Sequence, residues 1–115
     1  MLIVDDNVDA LETLRHFLGY HGALVRTALT ATMALEILSY VTPDLVITDL
    51  AMPGMHGPRL LTEIRKRPGG IAAPVVALTA FPETYARSSE RFDAYLTKPL
   101  DPAKFFDVVA PLIGR

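Results

Sequence analysis

The sequence predicts an α/β fold in which an open, five-stranded parallel sheet is covered by helices on both sides. Short apolar runs alternate with amphipathic stretches of helical periodicity along the chain. Runs such as Leu45 to Ile47 lack polar alternation, which is typical of strands that are buried on both faces. The 115 residues contain no repeats or low-complexity tracts, so we expect one domain over residues 1–115.

The first half of the chain predicts three strands and two helices. Apolar residues at Leu11, Leu14 and Leu18 have helical spacing, and Gly19 and Gly22 are expected to break that helix. Thr30 is a good N-cap for the second helix, which should end before Pro43. In order, the predicted elements are a strand at Leu2 to Val4, a helix from Val8 to Leu18, a strand at Ala23 to Val25, a helix carrying Met33, Leu35, Ile37 and Leu38, and a strand from Leu45 to Asp49.

The second half continues the alternation with three helices and two strands. Asp101 followed by Pro102 is a strong helix start, because proline suits the first turn. Ser88 and Ser89 weaken the fourth helix, which we expect to be short. In order, the predicted elements are a helix from Pro58 to Arg67, a strand from Pro74 to Thr79, a short helix from Glu83 to Glu90, a strand at Ala94 to Leu96, and a helix from Pro102 to Ile113.

Composition excludes several classes of function. The net charge of −2 argues against a nucleic-acid binder that is held by phosphate contacts. The absence of cysteine excludes disulfides, thiolate metal sites and cysteine nucleophiles. No apolar run is long enough to span a membrane, and the first residues lack the basic region of a signal peptide, so we expect a cytoplasmic domain without membrane contact.

Chemically useful side chains stand where the predicted strands end. Because the carboxyl ends of parallel strands meet at one edge, these side chains should lie together. Oxygen ligands without His or Cys suit Mg²⁺, and an aspartate beside Mg²⁺ can act as a nucleophile toward phosphorus. A lysine then offsets charge on the transferred group. The residues in question are Asp5 and Asp6 after the first strand, Asp49 at the third, Thr79 at the fourth and Lys98 at the fifth.

Four motifs together resemble the response-regulator receiver domain of two-component signalling, over almost the whole chain. They are Asp5-Asp6-Asn7, the segment from Pro43 to Gly57, Ala77-Leu78-Thr79-Ala80, and Tyr95-Leu96-Thr97-Lys98-Pro99. The resemblance implies a flavodoxin-like doubly wound (βα)5 fold with strand order 2-1-3-4-5.

The resemblance also implies roles for individual residues. Asp49 is the expected phosphoacceptor, and it holds Mg²⁺ together with Asp5, Asp6 and the backbone carbonyl of Ala51. Thr79 and Lys98 are expected to contact the phosphoryl group, and Tyr95 matches an aromatic switch position. The implied donor is a histidine kinase or a histidine phosphotransfer protein. Such a domain catalyses only its own phosphorylation and its slow autodephosphorylation, so we do not expect an enzyme in the usual sense.

The chain departs from the family pattern in three places. The first strand is expected to be clipped at its beginning, because few residues precede Asp5. The segment from Phe81 to Arg91 is about one helical turn shorter than is usual, which predicts a shortened fourth helix. Ala51 and Phe81 are both apolar at positions that flank the phosphorylation site in the family, which predicts slow loss of the phosphoryl group.

Two other functions stay open on the sequence alone. One is a receiver-like interaction module that is not phosphorylated, and the other is a Mg²⁺ phosphohydrolase, for which 115 residues leave no substrate cap. The last helix is also a candidate contact surface for a second copy or an effector, because its apolar residues surround more than one face. These residues are Phe105, Phe106, Val108, Val109, Leu112 and Ile113.

Overall fold

The structure is a computed structural model that describes residues 1–20, 24–50, 57–66, 73–79, 92–98 and 101–112. These residues form five strands and four helices. In chain order they are β1 (Leu2–Val4), α1 (Val8–Tyr20), β2 (Arg26–Ala28), α2 (Ala31–Leu38), β3 (Val46–Asp49), α3 (Gly57–Arg65), β4 (Val75–Thr79), β5 (Ala94–Thr97) and α4 (Pro102–Leu112). The short helix predicted over 83–90 lies outside the described residues.

All five strands are parallel, as the sequence predicts, and they lie in the order β2-β1-β3-β4-β5 that the family resemblance implies. The order reverses between β1 and β3, which places a crevice at the carboxyl ends of these two strands. Neighbouring side chains on a strand point to opposite faces, so the strands contribute to two apolar layers. Residues of α2 and α3 pack in one layer, and residues of α1 and α4 pack in the other.

The second strand is three residues further along than predicted. The apolar run that ends at Val25 indicated a strand there, but β2 covers Arg26–Ala28, and Leu24 is 91% exposed. β2 is an edge strand that pairs with β1 through its backbone, in the register Leu2↔Arg26. Hydrophobic runs are poor guides to such a strand because only Ala28 of β2 is fully buried.

The first helix ends at Tyr20, between the two glycines that are predicted to break it, and so continues one residue beyond Gly19. A Cβ atom at Gly19 would meet no other atom within 4 Å, so this glycine lies in open space at the end of the helix. The penalty for one glycine, about 1 kcal/mol, is too small to end a helix whose buried face is already formed. That face contains Leu11, Leu14 and Leu18.

Two predicted helix starts are confirmed by their caps. The Thr30 side chain accepts a hydrogen bond from the Met33 backbone N–H at 3.0 Å. The Asp101 side chain accepts one from the Ala103 N–H at 2.9 Å. Both bonds satisfy backbone donors that have no partner inside the helix. The third helix ends at Arg65 rather than at Arg67, which lies outside the described residues.

Part of the apolar surface of the last helix is buried in the core. Phe105 and Val109 are fully buried, so of the described apolar residues only Phe106, Val108 and Leu112, which are half-buried, can contribute to a contact surface. Phe106 is half-buried, and its ring lies 5.4 Å from that of Phe17 on α1. These aromatic residues join α4 to α1 across one face of the sheet. Ile113 lies outside the described residues, and contact of this helix with a partner stays a prediction.

Candidate functional site

The strand ends bring four of the predicted site residues to one edge of the sheet. Asp5 follows β1, Asp49 and Thr79 end β3 and β4, and Lys98 follows β5. The register places Asp49 opposite Leu78, which precedes Thr79. The Lys98 backbone N–H donates a hydrogen bond to the Thr79 carbonyl at 2.9 Å. The parallel sheet therefore assembles the cluster that the strand endings predict.

Three carboxylates form the acidic part of this edge. One oxygen from each of Asp5, Asp6 and Asp49 lies within 4.8 Å of the others. Asp5 and Asp49 are buried, whereas Asp6 is exposed. Oδ2 of Asp5 is buried and accepts no hydrogen bond from the residues that the structure describes. A buried, orphaned carboxylate oxygen beside two other carboxylates fits a hard divalent cation such as Mg²⁺.

Lys98 supplies positive charge to the same cluster. Its Nζ lies 3.1 Å from Oδ2 of Asp49 and 3.8 Å from Oδ2 of Asp5. The Lys98 side chain is 36% exposed, so it reaches the buried carboxylates from the solvent side of the edge. This cation offsets part of the repulsion between the two buried aspartates.

Asn7 orients the Asp5 carboxylate, a role that sequence reasoning missed. The Asn7 backbone N–H donates to Oδ1 of Asp5 at 2.9 Å, while the Asn7 side chain accepts from the Ala10 N–H at 3.1 Å at the start of α1. One residue thus caps the helix and binds Oδ1 of Asp5, while Oδ2 of Asp5 lies 3.8 Å from Lys98 Nζ. The sequence does indicate the capping role of Asn7, because asparagine before a helical run is a preferred N-cap.

Burial is the main cause that raises the pKa of Asp5 above the ordinary value for an aspartate. The Asn7 N–H and the Lys98 ammonium lower this pKa, in that order, and the charges of Asp49 and Asp6 raise it. The direction follows from the cost of placing a carboxylate away from water next to like charges. A divalent cation at this point would remove that cost.

Thr79 and Tyr95 lie on the neighbouring strands β4 and β5. Thr79 is buried at the end of β4. Tyr95 is half-buried on β5, opposite Ala77, and its ring packs edge-on against Phe92 at 5.8 Å between centroids. The phosphoryl-contacting role of Thr79 and the switch role of Tyr95 stay predictions. Ala51 and Phe81 lie outside the described residues.

A family model for the response regulator receiver domain matches residues 1–110. The chain belongs to the response-regulator receiver domain family. The response regulator Rre1 of Synechocystis is 35% identical over the whole chain, which spans about half (52%) of that relative's length. The receiver domain of a signal transduction histidine kinase from Syntrophus aciditrophicus is 31% identical, with a TM-score of 0.89 over 98% of this chain and 88% of that one.

A third member of the family is informative about metal binding. The receiver domain of the sensor histidine kinase PA1611 from Pseudomonas aeruginosa has a magnesium ion coordinated in its active-site cleft. It is 25% identical to this receiver domain, with a TM-score of 0.89 over 99% of this chain and 96% of that one. In the described part of this receiver domain, no helix has the length and apolar character needed to cross a membrane.

Proposed function

We propose that this receiver domain accepts a phosphoryl group on Asp49 from a histidine kinase or a histidine phosphotransfer protein. The observation that carries the proposal is the 3.1 Å contact between Lys98 Nζ and Asp49 Oδ2 at the edge of a three-carboxylate cluster. An aspartate that is buried, held by a cation and placed beside a divalent-metal site has the surroundings that an acyl phosphate requires.

The transfer itself is a displacement at phosphorus. A carboxylate oxygen of Asp49 forms the new P–O bond as the P–N bond of the phosphohistidine donor breaks, and the imidazole leaves with the bonding electron pair. Asp5, Asp6 and Asp49 would hold Mg²⁺, and the family resemblance adds the carbonyl of Ala51. When bound, Mg²⁺ neutralises negative charge on the transferred group.

Lys98 and Thr79 act on the remaining oxygens of the phosphoryl group. The Lys98 ammonium pairs with one of them as a point charge. The Thr79 hydroxyl donates a hydrogen bond to another, and Tyr95 turns inward as Thr79 moves. Phosphorylation thereby shifts an equilibrium between two conformations and changes the surface around β5 and α4. That surface is where we place the contact with a second copy or an effector.

The domain is proposed to turn over only its own phosphoryl group and to act on no other substrate. Its proposed donor is charged from ATP inside the cell, so we also propose a cytoplasmic location. Two other functions predict different behaviour. A phosphohydrolase would release phosphate from small phosphomonoesters with turnover, and an interaction module would remain unmodified in the presence of a donor.

Intact-mass measurement after incubation with acetyl phosphate and Mg²⁺ tests the proposal. We expect a mass gain of one phosphoryl group that disappears in Asp49→Ala and when the metal is chelated. Asp107→Ala is a matched control, because Asp107 is an exposed aspartate on α4, and it should be phosphorylated like the wild type. A wild-type domain that gains no phosphoryl group, or a gain that survives Asp49→Ala, would contradict the proposal.

A further inference from the structure

A buried hydroxyl lies directly before the phosphoacceptor. Thr48 has no solvent exposure, and it occupies β3 between the apolar residues Val4 of β1 and Ala77 of β4. Its Oγ1 donates a hydrogen bond of 3.0 Å to the backbone carbonyl of Asp49. A threonine in a strand is usually explained by β-propensity, but a valine would serve that purpose without burying a hydroxyl.

The hydrogen bond from Thr48 falls where the pairing of β3 changes. The pairing of β1 with β3 ends at Val4↔Thr48, one residue before Asp49, whereas the pairing with β4 continues through Asp49↔Leu78. Beyond this pair β1 no longer borders β3, and the crevice that holds the acidic cluster begins. The Thr48 hydroxyl donates to the Asp49 carbonyl just beyond the last β1 pair.

The peptide group between Asp49 and Leu50 is consequently held at both ends. Its carbonyl accepts from Thr48 Oγ1, and its N–H donates to the Leu78 carbonyl at 3.3 Å. The orientation of this peptide plane fixes the backbone on the C-terminal side of the Asp49 Cα. It therefore sets the direction in which the Asp49 carboxylate projects and the direction in which the chain leaves the strand.

We infer that Thr48 is a positioning residue for phosphoryl transfer, acting through the backbone of Asp49. The inference rests on the proposed function of Asp49. In-line attack at phosphorus depends on the placement of the attacking oxygen, and a misplacement of about 1 Å can lower a rate on the order of 100-fold. A hydroxyl that anchors the peptide next to the nucleophile restricts such misplacement without touching the phosphoryl group itself.

The test compares Thr48→Val, which keeps the shape and removes the donor, with Thr48→Ser, which keeps the donor. The probe is acetyl phosphate at saturating Mg²⁺, and the readout is the rate constant of phosphorylation together with its dependence on acetyl phosphate concentration. We expect Thr48→Val to lower the maximal rate by about tenfold with little change in the half-saturating concentration. Thr48→Ser should stay within about twofold of the wild type, because a hydroxyl still reaches the carbonyl.

Val76→Ala controls for loss of stability alone. Val76 is fully buried on β4 and is no part of the acidic cluster, so its truncation destabilises the domain without altering the Asp49 peptide. Urea unfolding of each variant gives the stability against which the rates are compared. If Thr48→Val does not fold, Thr48→Ala removes the same donor with a smaller side chain and replaces it in the comparison.

Several results would overturn the inference that Thr48 positions Asp49. Equal maximal rates for Thr48→Val and the wild type would overturn it, as would a rate for Val76→Ala that falls as far as that of Thr48→Val. Loss of activity in Thr48→Ser equal to that in Thr48→Val would also overturn it, since the hydroxyl would then be irrelevant. A wild-type domain that is not phosphorylated at all would instead overturn the proposed function and this inference with it.

Discussion

Lys98 and Asp49 meet across an intervening strand. Lys98 follows β5 and Asp49 ends β3, with β4 between them, yet Nζ of Lys98 lies 3.1 Å from Oδ2 of Asp49. Strands two positions apart are separated by about 9–10 Å, a span that the Lys98 and Asp49 side chains bridge together through their contact. The ion pair therefore joins two non-adjacent strands at the edge of the sheet that holds the acidic cluster.

Replacement of Lys98 by methionine should make the domain more dependent on Mg²⁺. The change leaves the repulsion between the buried Asp5 and Asp49 without a cation, so we expect a lower midpoint of thermal unfolding in the presence of a chelator. Mg²⁺ should then raise the midpoint more in Lys98→Met than in the wild type, since a ligand stabilises by binding the folded state. Lys66→Met is the control, because Lys66 pairs with Glu63 at 3.8 Å on the exposed surface. Equal Mg²⁺-induced shifts in Lys98→Met and the wild type would rule out this role.

Asp5→Asn should stabilise the metal-free domain. Its pKa is higher in the folded than in the unfolded chain, so the ionised carboxylate destabilises the fold above that folded pKa, and the effect vanishes below the ordinary pKa of an aspartate. We expect a higher free energy of unfolding than that of the wild type near neutral pH, with a difference that shrinks as the pH falls. Urea unfolding with a chelator measures it, with the exposed Asp107→Asn as control. The stabilisation by Mg²⁺ should be lost in Asp5→Asn, and an Asp5→Asn domain that is less stable than the wild type at neutral pH would count against the argument.

Two adjacent phenylalanines on α4 should differ in their contribution to stability. Phe105 is fully buried against the sheet, whereas Phe106 is half-buried against Phe17. Truncation of a buried phenylalanine to alanine costs about 3–5 kcal/mol, so Phe105→Ala should fall in that range and Phe106→Ala well below it. Urea unfolding of both variants measures the difference. Equal losses would show that the two rings are buried alike, and partner binding lost only in Phe106→Ala would support the contact surface.

The Asp93 side chain should contribute more to stability through its hydrogen bond with the Val75 N–H than through its ion pair with Arg65. Its Oδ2 accepts from the Val75 backbone N–H at 2.7 Å and from Arg65 Nη2 at 2.9 Å. Asp93→Ala leaves the N–H of the buried Val75 without this acceptor, which costs about 1–3 kcal/mol. Arg65→Ala removes only a partly exposed ion pair, worth less than about 1 kcal/mol. Equal losses of unfolding free energy in the two variants would contradict this ranking.

The phosphoryl group should be lost slowly. Hydrolysis needs a water in line with the phosphorus, and the apolar Ala51 and Phe81 flank this approach according to the family resemblance. The double variant Ala51→Asn with Phe81→Glu should shorten the phosphoryl half-life about tenfold, which corresponds to about 1.4 kcal/mol in the barrier. Decay of the phosphorylated species by intact mass measures the half-life. A double variant that decays no faster than the wild type would show that these side chains do not limit the reaction.

The strand endings predicted the acidic cluster because they depend on topology alone. Once the sheet is parallel, Asp49, Thr79 and Lys98 must share an edge, whatever the details of packing. The predicted position of the edge strand β2 is three residues too early, because a strand held by backbone pairing leaves little hydrophobic signal in the sequence. The hydrogen bonds of Thr48 and Asp93 were missed for a different reason. Each joins a side chain to a backbone group whose position is known only after the strands are in register.

Strand β5 is held at its two ends by contacts of different kinds. At its start, the Asp93 side chain and the Asp93 N–H bind both backbone groups of Val75, at the opposite end of the strand from the acidic cluster. At its end, Lys98 is held by carboxylates, and these attractions are weakened by salt and redistributed by a new anion. The backbone of β5 is paired with β4 from Ala94 to Thr97, and the Lys98 N–H donates to the Thr79 carbonyl, so it is the Lys98 side chain, rather than the strand, that can respond to such changes. Ionic strength should therefore change the position of the Lys98 ammonium while it leaves the strand register intact.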